Sequence, residues 1–569
     1  MLVLKRLKSK LKNRPILFLT LGFIFIYSIV FITSDKAVES HSTALSAAIS
    51  KLSGSSSSSS SSNYGVYSEL FNLLARSKPD LDPLKNYKSD NKVLQKFVSD
   101  KTSFTKDFLE NLQPLTDSEK KSIIDSYNSF VNNISLLNMK TFGRDDDNND
   151  VKGKGIVMVG GYKFSWLSLF NIHQLRKQGS KLPVEVYIPD IKEFDEKFCN
   201  KILPELNARC ILGYKELPLN EFNDTFNSKR YEYKILAILT SSFEDVLLLD
   251  ADNIVIDNPD RLFNWDIYKK NNLIFWPDSW QRTTNPFIFD LVNLKIDYSN
   301  VKDMNDYNVH DLPGAIPNPS TESGMIMVNK RKQLKTLLIA LYFNIYGFDY
   351  YYPLITQGGA GQGDKDTYII AAYGANAPYY QIQQPVSFLG HFNKDNEFNA
   401  GALGQCDPMT SDEKYAYDNK IKDKSCSNYL FLHLSFPKLY PNEIGNKVQN
   451  KYEGHFLQFD GIKWPYDIEL QIWEIMCQLL CKTYKKNSLQ PKNPASSILD
   501  SKFKLSGNDL KFIKDIEIEK QCTKKLIPHL EYLRSFFKYA DKSKGQFQQD
   551  WPGKSELNSN IYVDEDYEI

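Results

Sequence analysis

The sequence predicts an α/β protein built around a mainly parallel sheet, and three stretches carry that expectation. Val246-Leu247-Leu248-Leu249 is an unbroken apolar run that ends on Asp250 and Asp252, as a strand buried on both faces would. Gly155 to Val159 is closed by Gly160-Gly161, followed by a helical pattern with Trp166, Leu169, Phe170, His173 and Leu175, then by Val184 to Ile188. Strand, glycine turn, helix, strand is a βαβ unit, whose strands run parallel. Late in the chain, Tyr429 to Leu434 repeats the apolar strand pattern around a single polar residue, His433.

Taken from its start, the chain first predicts a membrane layout. Lys5, Arg6, Lys8, Lys10, Lys12 and Arg14 precede Pro15 to Ile32, a segment without a charge, which as a helix would span roughly 27 Å, just enough for a bilayer. Thr33-Ser34-Asp35-Lys36 follows, not a small-residue cleavage site, so 15–32 reads as an uncleaved anchor with 1–14 cytosolic and the rest lumenal or outside. Residues 33–63 are Ser-rich, with serine throughout Ser55 to Ser62, and read as a flexible stalk. Residues 64–150 read as a helical lead-in, with Leu70, Leu73, Leu74, Ile123, Ile124 and Tyr127 at helical spacing, closed by the acidic linker Asp145 to Asp150. The 569 residues are 42% hydrophobic, enough for a large core and more than one domain. A net charge of +1 exerts no general pull on nucleic acid, so none is expected as a partner.

Seven cysteines fit an oxidising compartment. Cys199/Cys210 and Cys406/Cys426 are plausible local pairs, while Cys477, Cys481 and Cys522 cannot all pair within one chain. The sequons Asn133-Ile134-Ser135 and Asn223-Asp224-Thr225 agree with that compartment.

The core domain is expected over 151–441, with a mainly helical extension over 442–569 that includes Ile472, Trp473, Ile475, Met476 and Leu479. Asp-x-Asp also occurs at Asp80/Asp82, Asp145/Asp147, Asp364/Asp366 and Asp564/Asp566, but only Asp250/Asp252 ends an apolar strand. A hard cation, Mn²⁺ or Mg²⁺, takes one or two carboxylates together with phosphate oxygens, and ligands of open α/β sheets gather at the carboxyl ends of strands. Gly160 and Gly161 let backbone approach a nucleotide, and Lys234, at the start of a helix over 235–239, can meet a phosphate. In Leu273 to Arg282, Trp276 and Trp280 beside Asp278 suit the apolar faces and hydroxyl edges of a sugar, with core packing the simpler alternative. Glu322-Ser323-Gly324 opens the strand Met325 to Val328, and the glycine-rich Gln357 to Asp366 precedes a helix over Tyr368 to Tyr373, with Asp364 or Asp366 as its cap. His433 can supply a third metal ligand, and Lys438 can face a diphosphate.

In these stretches the chain resembles the fungal Golgi α-1,2-mannosyltransferases that branch cell-wall mannan. The resemblance lies in Lys154-Gly155-Ile156-Val157 with Gly160-Gly161, Ser180 to Val186, Ser241 to Asn253, Glu322-Ser323-Gly324, and Gly358-Gly359-Ala360-Gly361 with Gly363-Asp364-Lys365. It implies a GT-A-like nucleotide-sugar fold, a GDP-mannose donor, Mn²⁺, an α-mannose oligosaccharide or mannoprotein acceptor, and a single-pass type II protein of the Golgi membrane, with a Golgi mannosyltransferase complex as a further partner. Asp250 and Asp252 match the family's metal pair, and Asp364 falls where the donor sugar is met. His433 as metal ligand and Lys438 at the diphosphate follow by analogy with related retaining transferases. Retention lets the departing phosphate oxygen take the acceptor proton, which leaves Glu322, Asp278 and Asp364 to orient sugar hydroxyls. An α-1,3-mannosyltransferase of the same architecture and a non-catalytic mannan-binding subunit are the alternatives.

Overall fold

The apolar runs of the sequence fold into two sheets. The computed structural model describes residues 61–84, 87–88, 90–137, 142, 153–218, 222, 226, 230–392, 398–409, 426, 428–434, 438–443, 468–482, 510–514, 517–531 and 533. The expected tail, membrane span, acidic linker, Asn223 sequon and carboxyl-terminal Asp pair lie outside those residues. Among them, no helix is long and apolar enough to cross a membrane. The last residues of the expected stalk open a helix, α1 (Ser61–Arg76).

In chain order the strands are β1 (Lys154–Val159), β2 (Val184–Ile188), β3 (Ala208–Leu212), β4 (Asp245–Leu249), β5 (Asn253–Val255), β6 (Leu273–Gln281), β7 (Pro319–Asn329), β8 (Tyr380–Gln381), β9 (Ser387–Phe392), β10 (Phe398–Cys406) and β11 (Tyr429–His433). Seven of them form one sheet in the order β3-β2-β1-β4-β7-β6-β8. β3, β2, β1 and β4 run parallel, β7 is antiparallel to both β4 and β6, and β8 is parallel to β6. The expected α/β class and mainly parallel sheet are therefore present. The second sheet, β5-β11-β10-β9, is wholly antiparallel and was not expected: β5 is too short, and β10 too rich in glycine and alanine, to stand out by pattern.

Alternation along the strands explains the continuous apolar run in β4. Leu247 and Leu249, with Ile156 and Met158 of β1, face one core layer, while Val246 and Leu248, with Val157, face the other. The first layer is closed by α3 (Lys163–Lys177), the second sheet and the carboxyl-terminal helix α7 (Ile468–Leu480); the second by α4 (Tyr233–Thr240), α5 (Leu334–Ile345), α6 (Thr367–Ala375) and the lead-in helices α1 and α2 (Asp117–Asn133). With both faces covered, no position from Val246 to Leu249 calls for a polar residue.

The flanking segments are built into this core. α2 starts with a capping box in which the Thr116 hydroxyl accepts from the Glu119 N–H while the Glu119 carboxylate accepts from the Thr116 N–H. Its Tyr127 stacks on Phe343 of α5 with ring centroids 5.7 Å apart. Phe97 of the lead-in stacks on Trp280 at 4.1 Å. At the other end, Gln471 of α7 donates to Gln174 of α3 at 2.9 Å, and Trp473 packs on His529. Cys199–Cys210 and Cys406–Cys426 are disulfides, as the spacing allowed, and Cys481–Cys522 is a third, joining α7 to the segment after it.

Lys330 follows β7 and is buried, donating to the carbonyls of Leu239 and Ser241 at the carboxyl end of α4. Burial lowers its ammonium to about 7; Arg331 adds to the effect, and Glu185 and Glu244 oppose it. Between that value and the ordinary 10.5, the unfolded chain holds a proton that the folded chain has shed, so this group makes stability rise with pH across that window. Lys330→Met is expected to flatten that part of the dependence, read as denaturant midpoints at pH 7 and about 9.5. An unchanged slope would show that Lys330 stays charged in the fold.

Candidate active site

The two carboxylates emerge where the chain passes from one sheet to the other. Asp250 follows the last residue of β4, and its N–H still donates to the Gly324 carbonyl of β7 at 2.8 Å. The Asn253 N–H then donates to the Asp250 carbonyl at 3.0 Å, closing a short turn before β5. β5 pairs with β11 so that Asn253 stands opposite His433, and the Leu434 N–H donates to the Asp252 carbonyl at 3.0 Å. This pairing brings His433 to the aspartates. One atom each of Asp250, Asp252 and His433 lies within 4.8 Å of the others, an arrangement that could hold a metal ion.

Cations flank the pair. Lys234 Nζ lies 2.9 Å from Asp250 Oδ2 and 3.4 Å from Asp364 Oδ2, and donates to the Ser323 hydroxyl at 3.1 Å. Ser323 in turn donates to Asp364 Oδ1 at 2.9 Å. Lys438 Nζ lies 3.0 Å from Asp252 Oδ2 and keeps 38% of its side chain exposed, so it can still reach a ligand. Lys234 is thus not the solvent-facing lysine of the simpler reading.

The same contacts set the protonation of the site. Burial pushes Asp250 up, and Lys234 offsets that only in part, with Asp252 and Asp364 adding to the rise. Burial pushes Asp252 up as well, but Lys438 and His433 more than offset it, and its carboxyl lies below the usual range. Glu322 is held at about 2: its burial is outweighed by the charge and hydrogen bond of His433 and by the Gly324 N–H. His433 is raised to about 9, because Glu322 and Asp252 outweigh its burial. The site is a buried set of carboxylates balanced by ammonium and imidazolium groups. Such a set can take a divalent cation on the carboxylates and an anionic group on the lysines at the same time.

The glycine-rich loop is clamped to β6 and β7 by three successive charges. Asp364 meets Lys234 and Ser323 as above. Lys365 Nζ donates to Asp278 Oδ2 at 2.7 Å, to the Ser320 hydroxyl at 3.1 Å and to the Ala360 carbonyl at 2.9 Å. Asp366 Oδ1 accepts from Arg282 Nη1 at 2.7 Å and from the Thr321 N–H at 2.8 Å.

These contacts correct several expectations. Asp278 does not turn to a sugar: Lys365 holds one of its oxygens and Ser279 the other. Asp366 is the residue before α6, but its side chain does not cap the helix, because its carboxylate is committed to Arg282 and Thr321. Trp276 is fully enclosed; its indole N–H donates to the Cys406 carbonyl at 2.9 Å and its ring meets Phe431 edge-on, so it packs the core and offers no face to a sugar. Glu322 turns both oxygens to protein partners, the Gly324 N–H and His433 Nδ1. Gly161, two residues past β1, has φ of +103°, and a side chain there would run into Glu193, so this turn requires glycine; Gly160 packs against Val186. Asp80 and Asp82 are exposed, as a solvated pair should be. The roles of Ser323, Arg282 and Lys365 have no local signal in the sequence beyond their closeness to residues already suspected.

Known proteins resemble this chain over much of its length. Residues 153–407 match the sequence family Mannosyl_trans3, described as "Mannosyltransferase putative". The chain is 35% identical to the α-1,2-mannosyltransferase MNN2 of Candida albicans, over 83% of this chain and 83% of that one. It is 32% identical to the α-1,2-mannosyltransferase MNN2 of Saccharomyces cerevisiae, over 73% of this chain and 78% of that one. Among solved structures, the glycosyltransferase GlyE of Streptococcus pneumoniae TIGR4 overlays at 15% identity on 40% of this chain and 45% of that one, with a TM-score of 0.23, too partial a likeness to argue from.

Proposed function

Because the chain belongs to the fungal α-1,2-mannosyltransferase family, we propose that it transfers mannose from GDP-mannose, with retention, to α-mannan chains of cell-wall glycoproteins. The observation that carries this reading is the meeting of Asp250, Asp252 and His433 at the carboxyl end of β4, with Lys234 and Lys438 beside them. It is the arrangement expected of a GT-A-like enzyme. Residues 15–32 would anchor the chain in the Golgi membrane, with the catalytic part in the lumen.

The donor set fits Mn²⁺: two carboxylate oxygens and an imidazole nitrogen suit a borderline-hard cation, and the number of protein ligands leaves positions for phosphate oxygens. When bound, that cation supplies Lewis acidity toward the diphosphate leaving group. The protein's own residues do the rest. Lys438, charged and accessible, can pair with the diphosphate as the sugar–phosphate bond breaks and negative charge collects there. Lys234 holds Asp250 and Asp364 in place and keeps both carboxylates partnered. Asp364, anchored by Ser323 and Lys234, stands at the metal pair and orients the donor sugar. With Asp278 and Glu322 committed to protein partners, the departing phosphate oxygen is left to take the acceptor proton.

The test is to incubate the full-length chain in detergent with radiolabelled GDP-mannose, Mn²⁺ and an α-mannose oligosaccharide. Label should enter the oligosaccharide, depend on Mn²⁺, and be released by an α-1,2-specific mannosidase. Label that resists this enzyme but yields to an α-1,3-specific one would overturn the linkage. Acceptor binding without any transfer would overturn the enzymatic reading in favour of a mannan-binding subunit.

A further inference from the structure

We infer that Glu322 is a positioning residue for His433: it accepts a hydrogen bond from the Nδ1–H of the imidazole and so presents the Nε2 lone pair to the cation. The inference rests on the reading that Asp250, Asp252 and His433 hold a divalent cation.

Glu322 Oε2 lies 3.3 Å from His433 Nδ1, while Oε1 accepts from the Gly324 N–H at 2.8 Å. An ionised carboxylate can only accept, so the hydrogen in this contact belongs to Nδ1. The other ring nitrogen, Nε2, then faces Asp252, 3.6 Å from its Oδ1. With Nδ1 protonated, the neutral imidazole has its lone pair on Nε2, the form a metal ligand requires. A carboxylate behind a ligating histidine fixes the tautomer and the ring orientation and raises ligand basicity.

The surrounding backbone holds Glu322 in this pose. Gly324 binds the Glu322 carboxylate through its N–H, while its carbonyl accepts from the Asp250 N–H and from Asn253 Nδ2, each at 2.8 Å. A Cβ at Gly324 would lie 3.2 Å from Glu322 Oε1 and 3.6 Å from both Asn253 Nδ2 and His433 Nδ1. The glycine therefore lets a carboxylate, an amide and an imidazole crowd around one peptide, and the Glu-Ser-Gly stretch couples β7 to the Asp pair and to β11 together. The resemblance implied that Glu322 orients sugar hydroxyls; the fold turns it to the histidine.

The test is a double-mutant cycle on the full-length protein, with Mn²⁺ affinity read from the electron paramagnetic resonance signal of free Mn²⁺ and with KM for Mn²⁺ measured alongside. E322A is expected to weaken Mn²⁺ binding by about 10- to 100-fold. E322L, which keeps volume without an acceptor, should match it and stands in if E322A does not fold. The loss should fall on KM for Mn²⁺ more than on KM for GDP-mannose. E322A/H433A should bind Mn²⁺ no more weakly than H433A alone, which a general structural role for Glu322 would not produce. Wild-type affinity in E322A and E322L, or an equal loss in the H433A background, would overturn the inference and leave the cation site standing. Unchanged affinity in H433A would overturn the cation reading itself, and this one with it.

Discussion

Asp252→Asn is expected to lower mannosyl transfer by about 10³-fold or more while the fold survives. The substitution keeps side-chain size and removes the charge at the centre of the site. Asp252 is the carboxylate that Lys438 and His433 keep ionised despite its burial, and it is one of the three groups whose arrangement could hold a cation. On the proposed mechanism, losing it would remove part of the stabilisation of the leaving diphosphate. Metal-based charge stabilisation is worth several kcal/mol, and each 1.4 kcal/mol or so is a factor of ten in rate. The fold should hold because the contact that ties this turn to β11 uses the Asp252 carbonyl, which asparagine keeps. The measurements are the initial rate of label transfer at a fixed GDP-mannose concentration, with Mn²⁺ titrated, and the thermal unfolding midpoint. More than a tenth of wild-type activity at saturating Mn²⁺ would remove Asp252 from the proposed machinery.

Arg282→Met should instead act on stability, with a loss of about 3–5 kcal/mol, the usual consequence of removing one partner of a buried ion pair. Arg282 is fully buried and bonds Asp366, the Pro317 and Pro319 carbonyls and the Thr321 hydroxyl. Its removal would leave the Asp366 carboxylate in the core with, among the described residues, only the Thr321 N–H as donor. The cost is that of an uncompensated charge, so removing both charges should cost less. Arg282→Met with Asp366→Leu is expected to recover part of the loss. Denaturant unfolding with an unchanged m-value measures it. A fall below about 1 kcal/mol would mean that water enters to solvate Asp366 and that the clamp contributes little. Because Asp366 and Asp364 lie on one loop, the single variant should also lower activity, and the double variant should restore part of that too.

Parts of this protein were legible because they are local. The β1–α3–β2 unit was visible because glycine turns and changes of hydrophobic period fall within a few tens of residues. Asp250/Asp252 could be separated from the other Asp-x-Asp pairs by the four apolar residues before it, which two-sided burial of β4 explains. Misreadings arose where a residue type has two uses. Trp276 and Asp278 suit a sugar site by composition, yet one fills the core and the other neutralises a lysine that lies 87 residues further along.

By itself, then, the sequence determined which segments are buried strands and helices, and that a carboxylate pair ends the central strand. Both follow from short-range periodicity, which records how many faces of an element are covered. The tertiary structure alone decided the partners of those side chains. His433 reaches Asp252 because the three-residue β5 pairs with β11. Glu322 faces that histidine because Gly324 folds its carboxylate back, and Lys365 and Arg282 close on carboxylates across the ends of β6 and β7. A pattern of burial states that a charged group must be compensated; which distant group compensates it depends on the register between strands.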